Sequence, residues 1–344
     1  MLRSLQAGRG LAAFAVVAYH LSVYLGDPRY GGDAVFSLFT RYGRLGVDFF
    51  FVLSGFIILH AHLGDVGRPD RWPRYAYQRF TRLFPIYWLY TAAFLMLALA
   101  TVSKAMPFAA DATWWASVLT LIRFNQEAVP LFVAWTLFNE LAFYALFSIL
   151  ILHRRLGLVC LAAWALVCLV LFHHQKPIIG TAVDVYSSAY NFNFFLGMAA
   201  FWLSRRDISG VALLGGGLAI VGVGLVGDYS GLTVSPLVYA VGFTLAVAGA
   251  VRLEATGALR VPRALTALGD ASFSLYLVHV VLITVALRLL FRVGAEQVIG
   301  RQGVFISTLI IAVAGGCIAY RWVERPLLDA CRRRSPFDRL QSPV

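Results

Sequence analysis

The chain has 344 residues, of which 60% are hydrophobic and only 13% are charged, and its formal net charge is +12 at pH 7. This composition is far more apolar than a soluble domain of this size needs, so it excludes an ordinary soluble enzyme. The positive charge favours contact with anionic lipid headgroups over nucleic-acid binding, because the basic residues flank apolar stretches.

Ten apolar stretches follow one another along the chain, each near the length that crosses a hydrocarbon core about 30 Å thick. They lie at 5–25, 45–62, 83–103, 130–152, 157–174, 188–204, 209–227, 233–251, 272–292 and 303–323. The sequence therefore predicts an all-α polytopic membrane protein with about ten transmembrane helices. Residues 1–330 would form one transmembrane domain and residues 331–344 a basic cytoplasmic tail. Glycines clustered at 210–227 predict close helix packing there.

The placement of Lys and Arg predicts the orientation, because positive residues stay on the cytoplasmic side. With the N-terminus inside, nineteen of the 29 basic residues, Arg79 and Arg82 among them, fall on the cytoplasmic side. Nine, including Lys104, Arg123 and Lys176, fall on the opposite side. Both termini are therefore predicted to be cytoplasmic.

The first stretch contains "RGLAAFAVVAYHL", with Arg9 at one end and His20 near the other. Eleven residues at about 100° each come within about 20° of three full turns, so both side chains share one helix face about 16 Å apart. Ionisable groups at membrane depth are costly and mark functional sites by default. The alternatives are that Arg9 reaches lipid headgroups and that His20 caps a neighbouring carbonyl.

The second stretch contains "GVDFFFVLSGF", which places Asp48 at roughly the predicted depth of His20. A carboxylate that accepts the Nδ1 proton of an imidazole fixes its tautomer and raises its basicity. Asp48 is therefore predicted to support His20 as a proton acceptor. The alternative is that Asp48 is a helix cap at the membrane surface.

Arg79 and Arg82 form an Arg-x2-Arg pair directly before the third stretch. Positions three apart share a helix face, and two guanidinium groups there can clasp phosphates. The alternative is an ordinary positive border of a membrane span.

Two later stretches carry further ionisable residues. Glu140, in "WTLFNELAFY", lies near the predicted midplane, where it needs an arginine partner or stays protonated. In "SFSLYLVH", Ser272, Tyr276 and His279 form a polar stripe, which is either functional or an interhelical hydrogen-bond seam. The seven histidines show neither HExxH nor Cys/His spacing, so no metal site is predicted.

These motifs together resemble the acyltransferase 3 family of integral-membrane acyltransferases. The resemblance runs nearly end to end: Arg-x10-His, "GVDFFFVLSGF", Arg-x2-Arg followed by "LFPIYW", "WTLFNELAFY", "FFLGM", "SFSLYLVH" and "VERP". Thr136 stands where the family often has serine. The sequence shows no SGNH-type hydrolase domain, which many relatives carry, so the resemblance implies the stand-alone form.

The resemblance implies transfer of an acyl group, usually acetyl, from cytoplasmic acyl-CoA to a hydroxyl of an extracytoplasmic or lipid-linked glycan. His20, Asp48, Glu140 and His279 would then be catalytic, and Arg9, Arg79, Arg82 and Tyr87 would bind the donor. The predicted location is the bacterial cytoplasmic (inner) membrane, with acyl-CoA, a glycan and lipids as partners. Whether His20 removes a proton or carries the acyl group stays open.

A proton-coupled transporter or flippase of a lipid-linked sugar is the alternative function, because such proteins also place His, Glu and Arg inside a helix bundle. The transporter hypothesis predicts activity without acyl-CoA, whereas the acyltransferase hypothesis predicts that the protein releases CoA in detergent.

Overall fold

The computed structural model describes residues 2–101, 111–171 and 179–337. Across these ranges the regular structure is helical and there is no β-strand, which confirms the predicted all-α membrane fold. Lys104, Lys176 and residues 338–344 of the predicted tail lie outside the described residues.

The α-helices are, in chain order, α1 (Arg3–Leu25), α2 (Ser37–Thr40), α3 (Gly46–His62), α4 (Trp72–Thr101), α5 (Ala112–Thr120), α6 (Trp135–Leu152), α7 (Arg154–Val170), α8 (Ala182–Tyr186), α9 (Phe192–Ser204), α10 (Gly210–Tyr229), α11 (Pro236–Ala255), α12 (Arg263–Asp270), α13 (Ser272–Arg292), α14 (Ala295–Ala319) and α15 (Arg325–Arg333). In the described residues, each of the ten predicted stretches overlaps a helix. Within the described part of the chain, eight helical stretches are long and apolar enough to cross a membrane. The other two predicted stretches give shorter helices, α7 with 17 residues and α9 with 13.

The helices form two compact units, and the first comprises residues 2–57 and 196–322. In this unit α1 packs against α11, α12, α13 and α14. A Cβ atom added to Gly10 of α1 would lie 2.9 Å from the backbone nitrogen of Gly269 in α12. Glycine therefore lets the backbones of α1 and α12 touch, and α12 leads directly into α13.

The first turn of α1 is capped by a side chain from α11. The Glu254 carboxylate accepts hydrogen bonds from the backbone N–H groups of Arg3 and Ser4, at 2.7 and 2.8 Å. A carboxylate at a helix N-terminus satisfies unpaired N–H groups and interacts favourably with the helix dipole. This contact anchors the start of α1 to α11.

Glycines also bring α10 against α11. A Cβ atom on Gly217 would lie 2.5 Å from the carbonyl oxygen of Gly242 and from the nitrogen of Ala246, both in α11. This contact confirms the close packing predicted from the glycine cluster.

At the far end of α1 the loop to α2 is held by one arginine. Gly300, with φ +66°, interrupts α14, and the next residue is Arg301. Arg301 donates hydrogen bonds to the carbonyl oxygens of Leu25, Tyr30 and Asp33, at 3.0, 2.6 and 2.7 Å. The end of α1 that carries His20 is thus tied to α14.

The second unit comprises residues 58–195 and 323–337. Here α6 packs against α4, α7 and α8, and the Phe143 ring stacks on Phe194 with centroids 4.5 Å apart. The Tyr75 hydroxyl donates to the carbonyl oxygen of Tyr144 at 3.1 Å, which links α4 to α6. Because α4 begins at Trp72, the helix includes the Arg-x2-Arg pair, which the sequence had placed before the span.

Candidate functional site

Arg9 and His20 both contact α13 in the first unit. The Arg9 Nε donates to the Ser272 hydroxyl at 3.2 Å, and the His20 ring meets the His279 ring with centroids 5.0 Å apart. Both side chains of α1 therefore meet one neighbouring helix, as their predicted shared face requires. The polar stripe of α13 supplies both partners, Ser272 being 1% exposed and His279 fully buried.

The hydrogen bonds of the histidine pair, His20 and His279, define the tautomer of each ring. The Nδ1 atom of His279 lies 2.7 and 3.2 Å from the carbonyl oxygens of Tyr276 and Leu275. Carbonyl oxygens only accept, so Nδ1 of His279 carries the proton and its Nε2 has the lone pair. That Nε2 lies 3.1 Å from Nδ1 of His20, which also faces the carbonyl oxygen of Val16 at 3.0 Å.

His20 Nδ1 thus faces two acceptors and is assigned the proton, which leaves the lone pair on Nε2. Within the described residues of the first unit, Nε2 of His20 has no hydrogen-bond partner. The ring is partly accessible, whereas His279 is fully buried. The pair therefore presents one basic nitrogen, the arrangement that a general base or nucleophile needs.

Asp48 lies in α3 and is 5% exposed. The sequence predicted that its carboxylate would accept the Nδ1 proton of His20. In the structure the acceptors at that atom are the Val16 carbonyl and His279 Nε2. A catalytic role for Asp48 stays a prediction.

A second cluster of charged and aromatic side chains lies in the second unit, between α4 and α6. The Arg79 guanidinium carbon stands 5.9 Å from the Tyr75 ring centroid and 5.6 Å from that of Tyr144. The Tyr144 hydroxyl donates to the Glu140 carboxylate. Arg79, Tyr75, Tyr144 and Glu140 are hereafter the Arg79 cluster. Among the described residues, Nε of Arg79 has no hydrogen-bond partner although it is buried.

Two members of this cluster, Tyr75 and Tyr144, were not among the predicted site residues, although their spacing in the sequence links them to Arg79 and Glu140. Tyr75 lies four residues before Arg79, and Tyr144 lies four residues after Glu140. Side chains four apart are neighbours on a helix face. The spacing could have indicated both contacts, although neither was predicted.

Arg82 has a different partner from Arg79. Its Nη1 lies 2.8 Å from Oε1 of Glu324, whose side chain is completely buried, while that of Arg82 is 30% exposed. Glu324 belongs to the "VERP" motif. The ion pair balances the Arg82 charge and ties the chain after α14 to α4.

We expect Glu324→Gln to lower the free energy of unfolding by about 1–3 kcal/mol, because the Arg82 guanidinium loses its carboxylate partner. Thermal unfolding of the purified protein in detergent measures the effect. Asp329→Asn is the matched control, since its pair with Arg325 is exposed and 4.0 Å long. Equal unfolding temperatures for wild type and Glu324→Gln would contradict the assignment.

Tyr87, predicted to contact the donor, is fully buried in α4. Its role in donor binding stays a prediction. The described residues contain no group of three or more His, Cys, Asp or Glu side chains that could hold a metal ion.

Comparisons with known proteins agree with the membrane fold and with these motifs. The family described as an acyltransferase domain matches residues 2–321. The "Exopolysaccharide production protein ExoZ" of Rhizobium meliloti (strain 1021) is 30% identical over 309 residues, which cover 85% of this chain and 92% of the relative. "Acyltransferase MdmB" of Streptomyces mycarofaciens is 25% identical over 387 aligned residues, which cover 100% of this chain and 96% of that relative. No solved structure matches the chain. The chain belongs to the acyltransferase 3 family, and it is an integral-membrane acyltransferase.

Proposed function

We propose that this acyltransferase moves an acetyl group from cytoplasmic acetyl-CoA to a hydroxyl of an extracytoplasmic or lipid-linked glycan. The observation that carries the proposal is the histidine pair, which leaves a basic Nε2 on His20 inside an apolar helix. A lone pair on an oriented imidazole is the group that deprotonates an alcohol or accepts an acyl group.

In the first course of the reaction, Nε2 of His20 takes the proton of the acceptor hydroxyl as its oxygen attacks the thioester carbonyl. The carbon–sulfur bond breaks, and the departing CoA sulfur receives that proton from His20. In the second course, Nε2 attacks the thioester carbonyl, the carbon–sulfur bond breaks, and CoA leaves as a thiolate. The acceptor oxygen then attacks the acyl carbon, the bond from that carbon to Nε2 breaks, and the freed Nε2 passes the hydroxyl proton to the CoA thiolate. His279 serves both courses, because it holds the Nδ1 proton of His20 in place.

The Arg79 cluster is suited to hold the phosphates of the donor. Arg79 stacks on two tyrosine rings and keeps a buried N–H without a partner in the described residues. A guanidinium group is the side chain best adapted to bind phosphate oxygens. Arg82 and Arg9 are assigned supporting donor contacts, and Glu140 is assigned polarisation of the thioester or proton transfer.

The name of one relative supports the proposed class of acceptor. The name of the Rhizobium meliloti relative concerns exopolysaccharide production, and that of the Streptomyces mycarofaciens relative concerns acyl transfer. A polysaccharide or its lipid-linked precursor is the acceptor class that the first of these names favours. The proposed location is therefore the bacterial cytoplasmic membrane, where cytoplasmic acetyl-CoA and envelope glycans are both accessible.

The experiment supplies the purified protein in detergent with radiolabelled acetyl-CoA and a panel of polymer and lipid-linked glycans. We expect label on one glycan, stoichiometric release of CoA, and release about 10³-fold slower from His20→Ala. Label that appears transiently on His20 would select the second course. Movement of a lipid-linked sugar across vesicles without acetyl-CoA, and with no CoA release in its presence, would contradict the enzyme and favour a transporter.

A further inference from the structure

The second unit contains another arginine that the proposed reaction does not use. Arg123 follows α5 and is only 6% exposed. Its Nε donates to the carbonyl oxygen of Gly180 at 3.0 Å, and its guanidinium carbon stands 5.4 Å from the Phe138 ring centroid. Its backbone N–H donates to the Tyr186 hydroxyl at 3.0 Å. Backbone and ring contacts therefore hold the side chain in one place.

Arg123 makes no close ion pair with a carboxylate in the part of the chain that the structure describes, and the Glu127 carboxylate favours its charge only from a longer distance. Its Nη2 atom is buried and makes no hydrogen bond to any described residue. Burial lowers the pKa of the guanidinium, but an arginine still stays protonated near neutral pH. A buried cation with an unused donor is costly, and an anion that binds there removes the cost.

Two asparagines of the second unit also have unused acceptors. Asn139, next to Phe138 on α6, is 1% exposed, and Asn191 is completely buried. Each donates through Nδ2 to a backbone carbonyl, Asn139 to Trp135 and Asn191 to Val185. The Oδ1 atoms of both have no hydrogen-bond partner among the described residues. Buried amide oxygens without donors suit a ligand that carries hydroxyl groups.

Arg123 and Arg79 each contact a ring of α6, and these two rings lie on opposite sides of Glu140 along the helix axis. Arg123 stacks on Phe138, two residues before Glu140, and Arg79 stacks on Tyr144, four residues after it. At 1.5 Å per residue these ring positions are about 9 Å apart along the axis. The charge pattern of the sequence predicts the segment with Arg79 to be cytoplasmic and the one with Arg123 to be external.

We propose that Arg123 binds an oxyanion, a carboxylate or a phosphate, of the hydroxyl-bearing acyl acceptor. The proposal rests on the proposed function, in which Arg79 faces the donor phosphates and the acceptor comes from the other side. It defines the acceptor class further, as an acidic sugar or a sugar phosphate.

The test measures equilibrium binding of three soluble probes to the purified protein in detergent: methyl β-glucuronide, glucose 1-phosphate and the neutral methyl β-glucoside. We expect at least one charged probe to bind about ten times or more tightly than the glucoside, the gain from one charge-assisted hydrogen bond. The charged probe that binds identifies the oxyanion as carboxylate or phosphate, and binding of both indicates that the site accepts either. Equal affinity for all three probes would overturn the proposal.

Three variants connect this preference to Arg123. Arg123→Gln should bind charged and neutral probes equally, and Arg123→Lys should keep part of the preference because it keeps the charge. Arg29→Gln, which removes an exposed cation predicted to lie on the same side, should behave as wild type. Thermal unfolding reports whether each variant is folded. If Arg123→Gln is folded and prefers the charged probes as strongly as wild type does, the proposal is overturned. If Arg123→Gln unfolds, the Arg123→Lys variant replaces it: a reduced preference supports the proposal, and an unchanged preference overturns it.

Turnover separates this proposal from the proposed function. CoA release with each probe as acceptor should show a lower KM for the charged probe that binds, and Arg123→Gln should remove that difference while kcat changes less than about twofold. If the charged probes bind through Arg123 but no CoA is released, the result contradicts the proposed acyl transfer and leaves the Arg123 anion site standing. If CoA is released with identical KM values for all three probes, the result contradicts the Arg123 site and leaves the proposed acyl transfer standing.

Discussion

Replacement of His20 by alanine should lower kcat for acyl transfer by about 10³-fold, the size of effect expected when a general base is removed. The reason is that Nε2 of His20 is the basic nitrogen of the histidine pair. The KM for acetyl-CoA should change little, because the proposed phosphate contacts belong to other residues. Initial rates of CoA release with a glycan acceptor measure both constants.

His60→Ala is the matched control for this variant. His60 is also a histidine of an apolar helix, α3, but it is exposed. We expect its kcat to stay within about twofold of wild type, since the proposed chemistry does not use it. Folded His20→Ala protein with wild-type kcat would show that His20 has no role in the chemistry.

Replacement of His279 should produce the second largest effect, a loss of about 10²-fold in kcat for His279→Ala. His279 is a positioning residue, because it accepts the Nδ1 hydrogen bond of His20 and so keeps the lone pair on Nε2. His279→Gln should recover part of the loss, since an amide oxygen accepts the same hydrogen bond.

The glutamine variant also guards against a purely structural explanation. His279 is fully buried, so alanine at this position leaves a cavity, and the unfolding temperature of both variants should be measured. Recovery of kcat by His279→Gln at unchanged KM supports the positioning role. Equal kcat in two folded variants would contradict it.

Much of the fold follows from the sequence, because length and apolar composition are what a membrane span requires. Each of the ten predicted stretches overlaps a helix in its described residues, from α1 to α14. The face shared by Arg9 and His20 was predictable from helical periodicity alone, since their separation is close to three full turns. The number of long spans was less predictable, because α9 forms only 13 helical residues.

The contacts across helices could not be read from the sequence. Periodicity tells which residues of one helix share a face, but not which other helix that face meets. His20 and His279 are 259 positions apart, and the sequence paired His20 with Asp48 instead. Glu324 and Arg82 are 242 positions apart and were missed for the same reason.

The proposed chemistry depends on one feature of His20, the proton on Nδ1 that leaves the lone pair at Nε2. Nitrogen NMR of protein labelled with ¹⁵N-histidine measures this directly, with the His20 signals identified by their loss in His20→Ala. We predict that the coupled hydrogen of His20 is on Nδ1 and that Nε2 gives the signal of an unprotonated ring nitrogen. A proton on Nε2, with the lone pair on Nδ1, would contradict the account.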